Sequence, residues 1–425
     1  MNGLNNTIAH NLDHKRPLAL ILLLTLLARL AWLAYAQPVP VSDFAQYLDL
    51  ARSILEHGQY GYPTPTAFRT PGYPAYLVPF LALHNSWAAA MAANLVLSLA
   101  GCLLVFGLTR RLFPDHPRAA LAGALVYGLN PNFIIYTGLL ASENLYGPLM
   151  MGALYLALGR RRRLASAALA GLLLGWAGLT RGEGLILAAV PFFLFALQGA
   201  RRLELDWRRA GAALILFVAC LSVVLPWWWR NRVEIGPGAG LVTLTGVFLY
   251  EAYNPNGYGY SWQRQDLPVT MNEVERNKKG ASLAWQYVKE HPERLPAKIA
   301  RSTFDLYRPT FMPVYMSTRS ENRGGAGGYP AKPLPGVWLA EQAVLWGYLA
   351  LLALALPALY GWRKWPGRAV WVVAGVAGLN WLVYGLVFWG MGRYRLLPEL
   401  LFCCLAGVTL ARLFNKRLAG EPDAK

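Results

Sequence analysis

Apolar runs of roughly 17–25 residues recur from one end of this 425-residue chain to the other, and they restrict its fold more than any other feature. A run of that length crosses about 30 Å of hydrocarbon as a helix. Lipid offers the backbone no hydrogen-bond partners, so a crossing segment must be helical or belong to a closed barrel. Barrel strands would alternate apolar and polar residues over about ten positions, and no such pattern occurs. Composition agrees. The chain is 56% hydrophobic and only 15% charged, against about 25% charged in soluble domains. The fold class expected is an all-α polytopic membrane protein.

The runs predict about ten spans. They are Pro17–Ala36, Ser86–Leu108, Ala119–Leu139, Leu145–Leu158, Leu164–Leu179, Gly184–Gln198, Ala210–Trp229, Val337–Leu359, Ala369–Trp389 and Leu396–Leu413. Pro71–Leu83 is apolar but too short to cross, and fits an interfacial or re-entrant helix. The net charge of +18 would suggest nucleic acid in a soluble protein. Here it follows the excess of Lys and Arg in cytoplasmic loops. Lys15–Arg16, Arg110–Arg111 with Arg118, Arg160 to Arg163, Arg201–Arg202 with Arg208–Arg209, Arg363–Lys364 with Arg368, and Lys416–Arg417 all fall on one face. Both termini are therefore expected in the cytoplasm. Lys15–Arg16, an apolar stretch and Ala34-Tyr35-Ala36 could also be read as a cleaved signal peptide, but the core is long for one and is kept as a span.

This arrangement divides the chain into residues 1–229 with seven spans and an outer loop 37–83, an extracytoplasmic segment 230–336, and residues 337–425 with three spans. In the outer segment, Asn272–His291 reads as an amphipathic helix with Leu283, Ala284, Tyr287 and Val288 on its apolar face. Glu293–Arg308 reads as a second, lying on the membrane with Leu295, Ile299, Phe304 and Leu306 inward. Arg323–Gly328 is glycine-rich. All four cysteines sit in apolar runs, which suits packing rather than a disulfide framework. Among the six histidines no pair has metal-ligand spacing, no Cys-x-x-Cys occurs, and glycine-rich phosphate loops and hydrolase elbows are missing. Tyr253–Trp262 could stack on sugar rings, but packing of a loop or interface belt is the favoured use of such residues.

Charged residues at the outer ends of spans carry the chemistry, because an ionisable group there is costly to keep. Asp43 opens an interfacial helix patterned by Phe44, Tyr47, Leu48, Ile54 and Leu55. It could cap that helix or act as a carboxylate at the membrane surface that accepts a proton or orients an acceptor hydroxyl. Glu143 follows Ser142 at the start of the fourth span, as a first-turn acid or a functional one. Glu183 could serve the site or pair with Arg181. Arg69, Arg181, Arg230, Arg393 and Arg395 fall at outer span ends or in the interfacial loop, where arginine forks suit phosphate or snorkel to headgroups. Arg393 and Arg395 oppose the charge bias of their face. Arg29, inside the first span, suits a buried pair or a lipid headgroup.

Several segments together resemble one family. They are Asp43, Tyr47 to Ser53, Gly58-Gln-Tyr-Gly61, Ala67-Phe-Arg69-Thr-Pro-Gly-Tyr73-Pro74, Pro226-Trp-Trp-Trp-Arg230-Asn231, Glu290-His291-Pro292 and Arg393-Tyr394-Arg395-Leu-Leu-Pro398. The chain is similar to the GT-C-fold glycosyltransferases related to aminoarabinose transferase and the protein O-mannosyltransferases. The resemblance implies a membrane enzyme moving a sugar from a polyprenyl-phosphate donor to an extracytoplasmic lipid, glycan or protein acceptor, with inversion. It implies Asp43 and Glu143 as catalytic residues, Arg69, Arg181, Arg230, Arg393, Tyr394 and Arg395 at the donor phosphate, and Glu183 as an acidic partner. The location implied is a bacterial inner membrane, with the active site outside. No cofactor is required by it, though a divalent metal ion has room in it. The family carries Asp-Glu in the first loop where this chain has Asp43-Phe44, which leaves the second carboxylate unassigned. The rival class is a transporter or flippase of a lipid-linked sugar. A transporter would place interrupted helices about the midplane, whereas these charges gather at one face.

Overall fold

The computed structural model describes residues 14–159, 163–198, 204–205, 207–255, 266–268, 270–318, 335–360, 363 and 365–418. Among them, seven helices are long and apolar enough to cross a membrane: Lys15–Ala36, Trp87–Leu112, Arg163–Thr180, Ala210–Glu234, Val337–Tyr360, Gly367–Val387 and Gly392–Phe414. Shorter apolar helices lie between them, including Gly72–Leu83, Pro117–Leu129 and Glu143–Ala157. The chain is an integral membrane protein built of helices; the described strands are one antiparallel pair, Leu197–Gln198 with Glu204–Leu205. Arg160 to Arg162, Arg201–Arg202, Lys364, residues 256–262 of the aromatic segment and Arg323–Gly328 lie outside the described residues.

Two expected spans are interrupted, and proline is the cause each time. Ala119–Leu139 divides into Pro117–Leu129 and Pro131–Tyr136. Asn130 accepts from the Asn132 amide at 2.9 Å, so a new helix starts there with Pro131 in its first position. Gly184–Gln198 divides into Glu183–Leu187 and Ala189–Ala196. The Pro191 ring has no N–H and crowds the carbonyl four residues back, at Leu187, where the first piece ends. Ala369–Trp389 also departs from a plain helix. It is α-helical to Trp381, continues as a π-helix over Leu382–Val387, and leaves helical geometry at Phe388.

Helices approach closely where side chains are small, as bilayer packing requires. A Cβ on Gly171 would stand 2.2 Å from the Leu216 carbonyl oxygen, and one on Gly175 2.7 Å from that of Cys220. These two glycines, one turn apart, seat Arg163–Thr180 directly on Trp207–Glu234. Gly407 does the same for the last helix against Ala119, at 2.3 Å. Arg29, fully buried, donates to the Thr25 and Gly128 carbonyls at 3.1 and 2.6 Å and to Ser98, which ties three helices together.

The outer segments are stitched to one another. Glu273 accepts from Thr66 Oγ1 at 2.9 Å and from the Ala67 amide at 3.0 Å, and the Thr243 amide donates to the Ala67 carbonyl at 2.9 Å. Asn272 caps Glu273–Glu290 through the Val274 amide. That helix buries Val274, Gly280 and Ala284. The helix Leu295–Tyr307 buries Leu306, as expected, together with Lys298 and Ser302, while Phe304 is 67% exposed. The inward residues are one turn apart and pack on the π-helix and on Gly390, whose Cβ would meet the Ser302 carbonyl.

Candidate active site

The helix Asp43–His57 lies over Gly72–Leu83 because Phe44, Tyr47, Leu48 and Ala51 form one buried stripe. The residue before it, Ser42, has φ of 51°, a conformation that costs about 1–3 kcal/mol outside glycine. No side-chain cap bond forms at Ser42, and Asp43 is the first helical residue. Its carboxylate therefore turns toward arginines rather than toward the helix amides. Glu143 likewise opens its own helix, and the Ser142 hydroxyl faces the Glu143 carboxylate and the Tyr47 hydroxyl, each at 3.4 Å, instead of capping.

These groups form one continuous chain of opposite charges. Arg69 Nη2 is 2.7 Å from Asp43 Oδ1, and Arg393 Nη1 is 3.3 Å from Asp43 Oδ2. Arg393 Nε is 2.6 Å from Glu143 Oε1, and Arg181 Nη1 reaches that same oxygen at 2.6 Å. Arg181 Nε pairs with Glu183, and Arg181 Nη2 donates to the Tyr384 hydroxyl at 2.8 Å, which itself donates to Glu183. Three arginines alternate with three carboxylates. Tyr394 stacks on Tyr384 with centroids 4.2 Å apart and lies under the guanidinium groups of Arg181 and Arg393. The Phe44 ring sits against Arg393 from the other side, at 5.6 Å. Glu143 thus provides a second carboxylate on Arg393, from a helix remote in sequence. Burial alone would raise the Asp43 pKa, but Arg69 and Arg393 outweigh it and hold the carboxyl below its ordinary range.

A cavity of about 540 Å³ opens over this chain. Its lining combines the charged chain of Asp43, Arg69, Arg181, Glu183 and Arg393 with apolar residues such as Ile186, Leu241, Val383 and Phe388. Glu143 lies just beneath, 6% exposed. Two expected arginines stand elsewhere. Arg395 is 1% exposed and belongs to a separate knot: its Nε is 2.5 Å from Glu399 Oε1, its Nη1 donates to the Leu306 and Arg308 carbonyls, and it covers the Tyr348 ring. Asn132 completes that knot by donating to Glu399 at 2.8 Å. Arg230 fastens the first outer loop through the Thr66 and Tyr60 carbonyls at 2.7 and 3.0 Å and pairs with Glu234. Sequence reasoning missed Tyr384, which is hidden in an apolar run, and Gln46, which accepts from Arg69 Nε at 3.1 Å. The period of the interfacial helix put Gln46 near Asp43, a signal that was available. Among the described residues no three His, Cys, Asp or Glu side chains converge to hold a metal ion. Each carboxylate at this site instead faces an arginine, so the donor set does not fit a resident cation.

A helical membrane bundle with a charged cavity at one end of its helices defines the class. The whole-chain comparison gives it the GT-C fold. An archaeal oligosaccharyltransferase from Archaeoglobus fulgidus, AglB, solved with an inhibitory peptide and a dolichol-phosphate, matches 97% of this chain and 52% of its own at 16% identity and a TM-score of 0.55. The same enzyme in a complex with Zn and sulfate matches 94% of this chain and 49% of its own at 17% identity and a TM-score of 0.56. The present chain thus spans about half the length of that transferase. ArnT from Cupriavidus metallidurans bound to undecaprenyl phosphate aligns over 94% of this chain and 78% of its own at 16% identity, with a TM-score of 0.43. Residues 69–229 match the family model described as dolichyl-phosphate-mannose-protein mannosyltransferase. No curated protein matches the sequence.

Proposed function

We propose that the protein is an inverting glycosyltransferase that moves a sugar from a polyprenyl-phosphate donor to an acceptor on the outer side of a bacterial inner membrane. The observation that carries this reading is the cavity lined by Asp43, Arg69, Arg181 and Arg393 together with apolar side chains such as Ile186, Leu241 and Phe388. An isoprenoid chain suits the apolar side chains, and the arginines suit the phosphate. The match of residues 69–229 to a mannosyltransferase family and the GT-C fold support the same class.

In this mechanism the acceptor hydroxyl oxygen attacks the anomeric carbon on the face opposite the phosphate. The new carbon–oxygen bond forms as the bond to the phosphate oxygen breaks, and the phosphate leaves with the electron pair. Its charge grows in the transition state, where Arg181 and Arg393 stabilise it. Asp43, ionised at neutral pH because of Arg69 and Arg393, orients the hydroxyl and takes its proton. Glu143 holds Arg181 and Arg393 at fixed spacing, which positions them before the donor arrives. Arg69 and Tyr394 complete the phosphate end, and Glu183 positions Arg181.

The test incubates purified protein with radiolabelled polyprenyl-phosphate sugars and extracted envelope acceptors, beside Asp43→Asn and Arg393→Ala. Transfer by the wild type and its loss in both variants is expected. Donors left intact by the wild type, or full activity in Asp43→Asn, would overturn the mechanism. A flippase would instead move the donor across vesicles without consuming it.

A further inference from the structure

A second cavity, of about 620 Å³, lies on the opposite side of Arg69. It shares Phe68 and Arg69 with the first cavity, so these two side chains form the partition. Its lining is otherwise distinct. This one is walled by Gln46, Asp49, Arg52 and Glu56 of the helix Asp43–His57 and by Glu273 and Arg276 of the helix Glu273–Glu290.

We propose that this groove binds a neutral, water-soluble saccharide, as the acceptor of the transfer described above. The inference rests on that reading for the word acceptor, and on the groove itself for the saccharide. Three features specify the ligand. The first is charge: Asp49, Glu56 and Glu273 lie beside Arg52, Arg276 and the Asp43-paired Arg69, so the groove carries both signs and no strong net charge to select a polyanion or polycation. The second is a set of donors and acceptors held in place. Arg52 donates to Asn85 Oδ1 at 3.1 Å, Asn85 donates to Glu56 at 2.8 Å, and Glu273 is fixed by Thr66 and the Ala67 amide. Fixed forks of both kinds match the vicinal hydroxyls of a sugar. The third is an aromatic platform: Tyr62 stacks on His57 with centroids 3.9 Å apart, yet remains 65% exposed. One face of that ring is supported and the other is open at the rim, the arrangement on which a pyranose ring stacks.

A lipid acceptor is disfavoured because this wall is charged along the length of its helix. A peptide acceptor bound by strand addition would need an exposed sheet edge, and the groove is walled by helices and a loop. The partition then acquires a role. Arg69 donates to Gln46 on the groove side and pairs with Asp43 on the cavity side, so a hydroxyl arriving from the groove meets the carboxylate where Arg69 yields.

The full chain in nanodiscs is titrated with maltotetraose, chitotetraose and a threonine-rich peptide, and binding is read by saturation-transfer-difference NMR. Saturation transfer to ring protons of a tetrasaccharide is expected, weakened roughly tenfold by Tyr62→Ala and retained in Tyr62→Phe. Thermal unfolding of Tyr62→Ala should match the wild type, since the ring is exposed. Saturation of the peptide alone, of neither saccharide, or of saccharides undiminished by Tyr62→Ala overturns the assignment. Because this measurement needs no turnover, its failure is distinct from failure of the transfer assay. In that assay the groove reading further requires labelled product in the aqueous phase rather than the chloroform phase.

Discussion

Arg393 and Arg395 are two residues apart and opposite in duty. The Arg393 fork spans Asp43 and Glu143 at the cavity, whereas Arg395 is enclosed with Glu399. Arg393→Lys keeps the charge but cannot bridge two carboxylates. It is expected to weaken binding of polyprenyl phosphate roughly 10- to 100-fold, measured by displacement of a labelled lipid phosphate. Arg395→Met should instead leave that affinity intact and cost about 3–5 kcal/mol of stability, because it strands Glu399 in the interior. Adding Glu399→Leu should return much of the lost thermal stability. Sequence reading found Asp43, Glu143 and Arg393 because charge at the outer ends of apolar runs needs a reason to be there. It grouped Arg395 with them although Glu399, four residues on, was a visible helical partner. Tyr384 gave no such sign, since a hydroxyl within an apolar run reads as ordinary packing.

The helix Leu295–Tyr307 acts as a strut for the cavity wall. Lys298 Nζ donates to the Tyr253 hydroxyl at 3.0 Å, to the Leu386 carbonyl at 2.8 Å and to the Phe388 carbonyl, where the π-helix runs out. Trp381 donates to Thr303 at 2.9 Å along the same seam. Burial pushes the Lys298 pKa down to about 7, from about 10.4 in the unfolded chain. Between those values the unfolded state binds more protons, so stability should rise as pH is raised from 7 toward 10. Lys298→Met should flatten that rise in thermal unfolding of the detergent-solubilised protein. The helix and the burial of Leu306 were legible from its period, but the contact made by Lys298 and Ser302 was not, since polar residues on that face gave no sign of being covered. By contrast, Asn130-Pro131 was a written signal for a break in a run long enough to pass as one span.

For the whole molecule, length and apolarity of the runs were enough for the class, and glycine placement accounts for how tightly it closes. Gly171→Leu is expected to separate Arg163–Thr180 from Trp207–Glu234 and cost about 1–3 kcal/mol or more, seen as lower thermal stability and detergent-dependent aggregation. From the basic segments at alternate ends of the runs we propose that both termini face the cytoplasm. A fluorescent protein fused after Lys425 should therefore fold and fluoresce, and a cysteine introduced at Thr64 should react with an impermeant thiol reagent added outside whole cells. What the runs could not reveal is the stitching of residues 60–70 to residues 230–280, since Glu273, Thr66 and Arg230 meet only through folding.

The equal number of arginines and carboxylates along the cavity has one further consequence for the proposed reaction. Every cation there already has a carboxylate, so an arriving lipid phosphate gains its arginines only by exchange. The same exchange runs backward once the sugar has gone: Asp43 and Glu143 compete for Arg393 and help evict the spent carrier. Neutralising Glu143 would then turn the carrier from a departing product into a lingering inhibitor, and slow turnover after the bond is made.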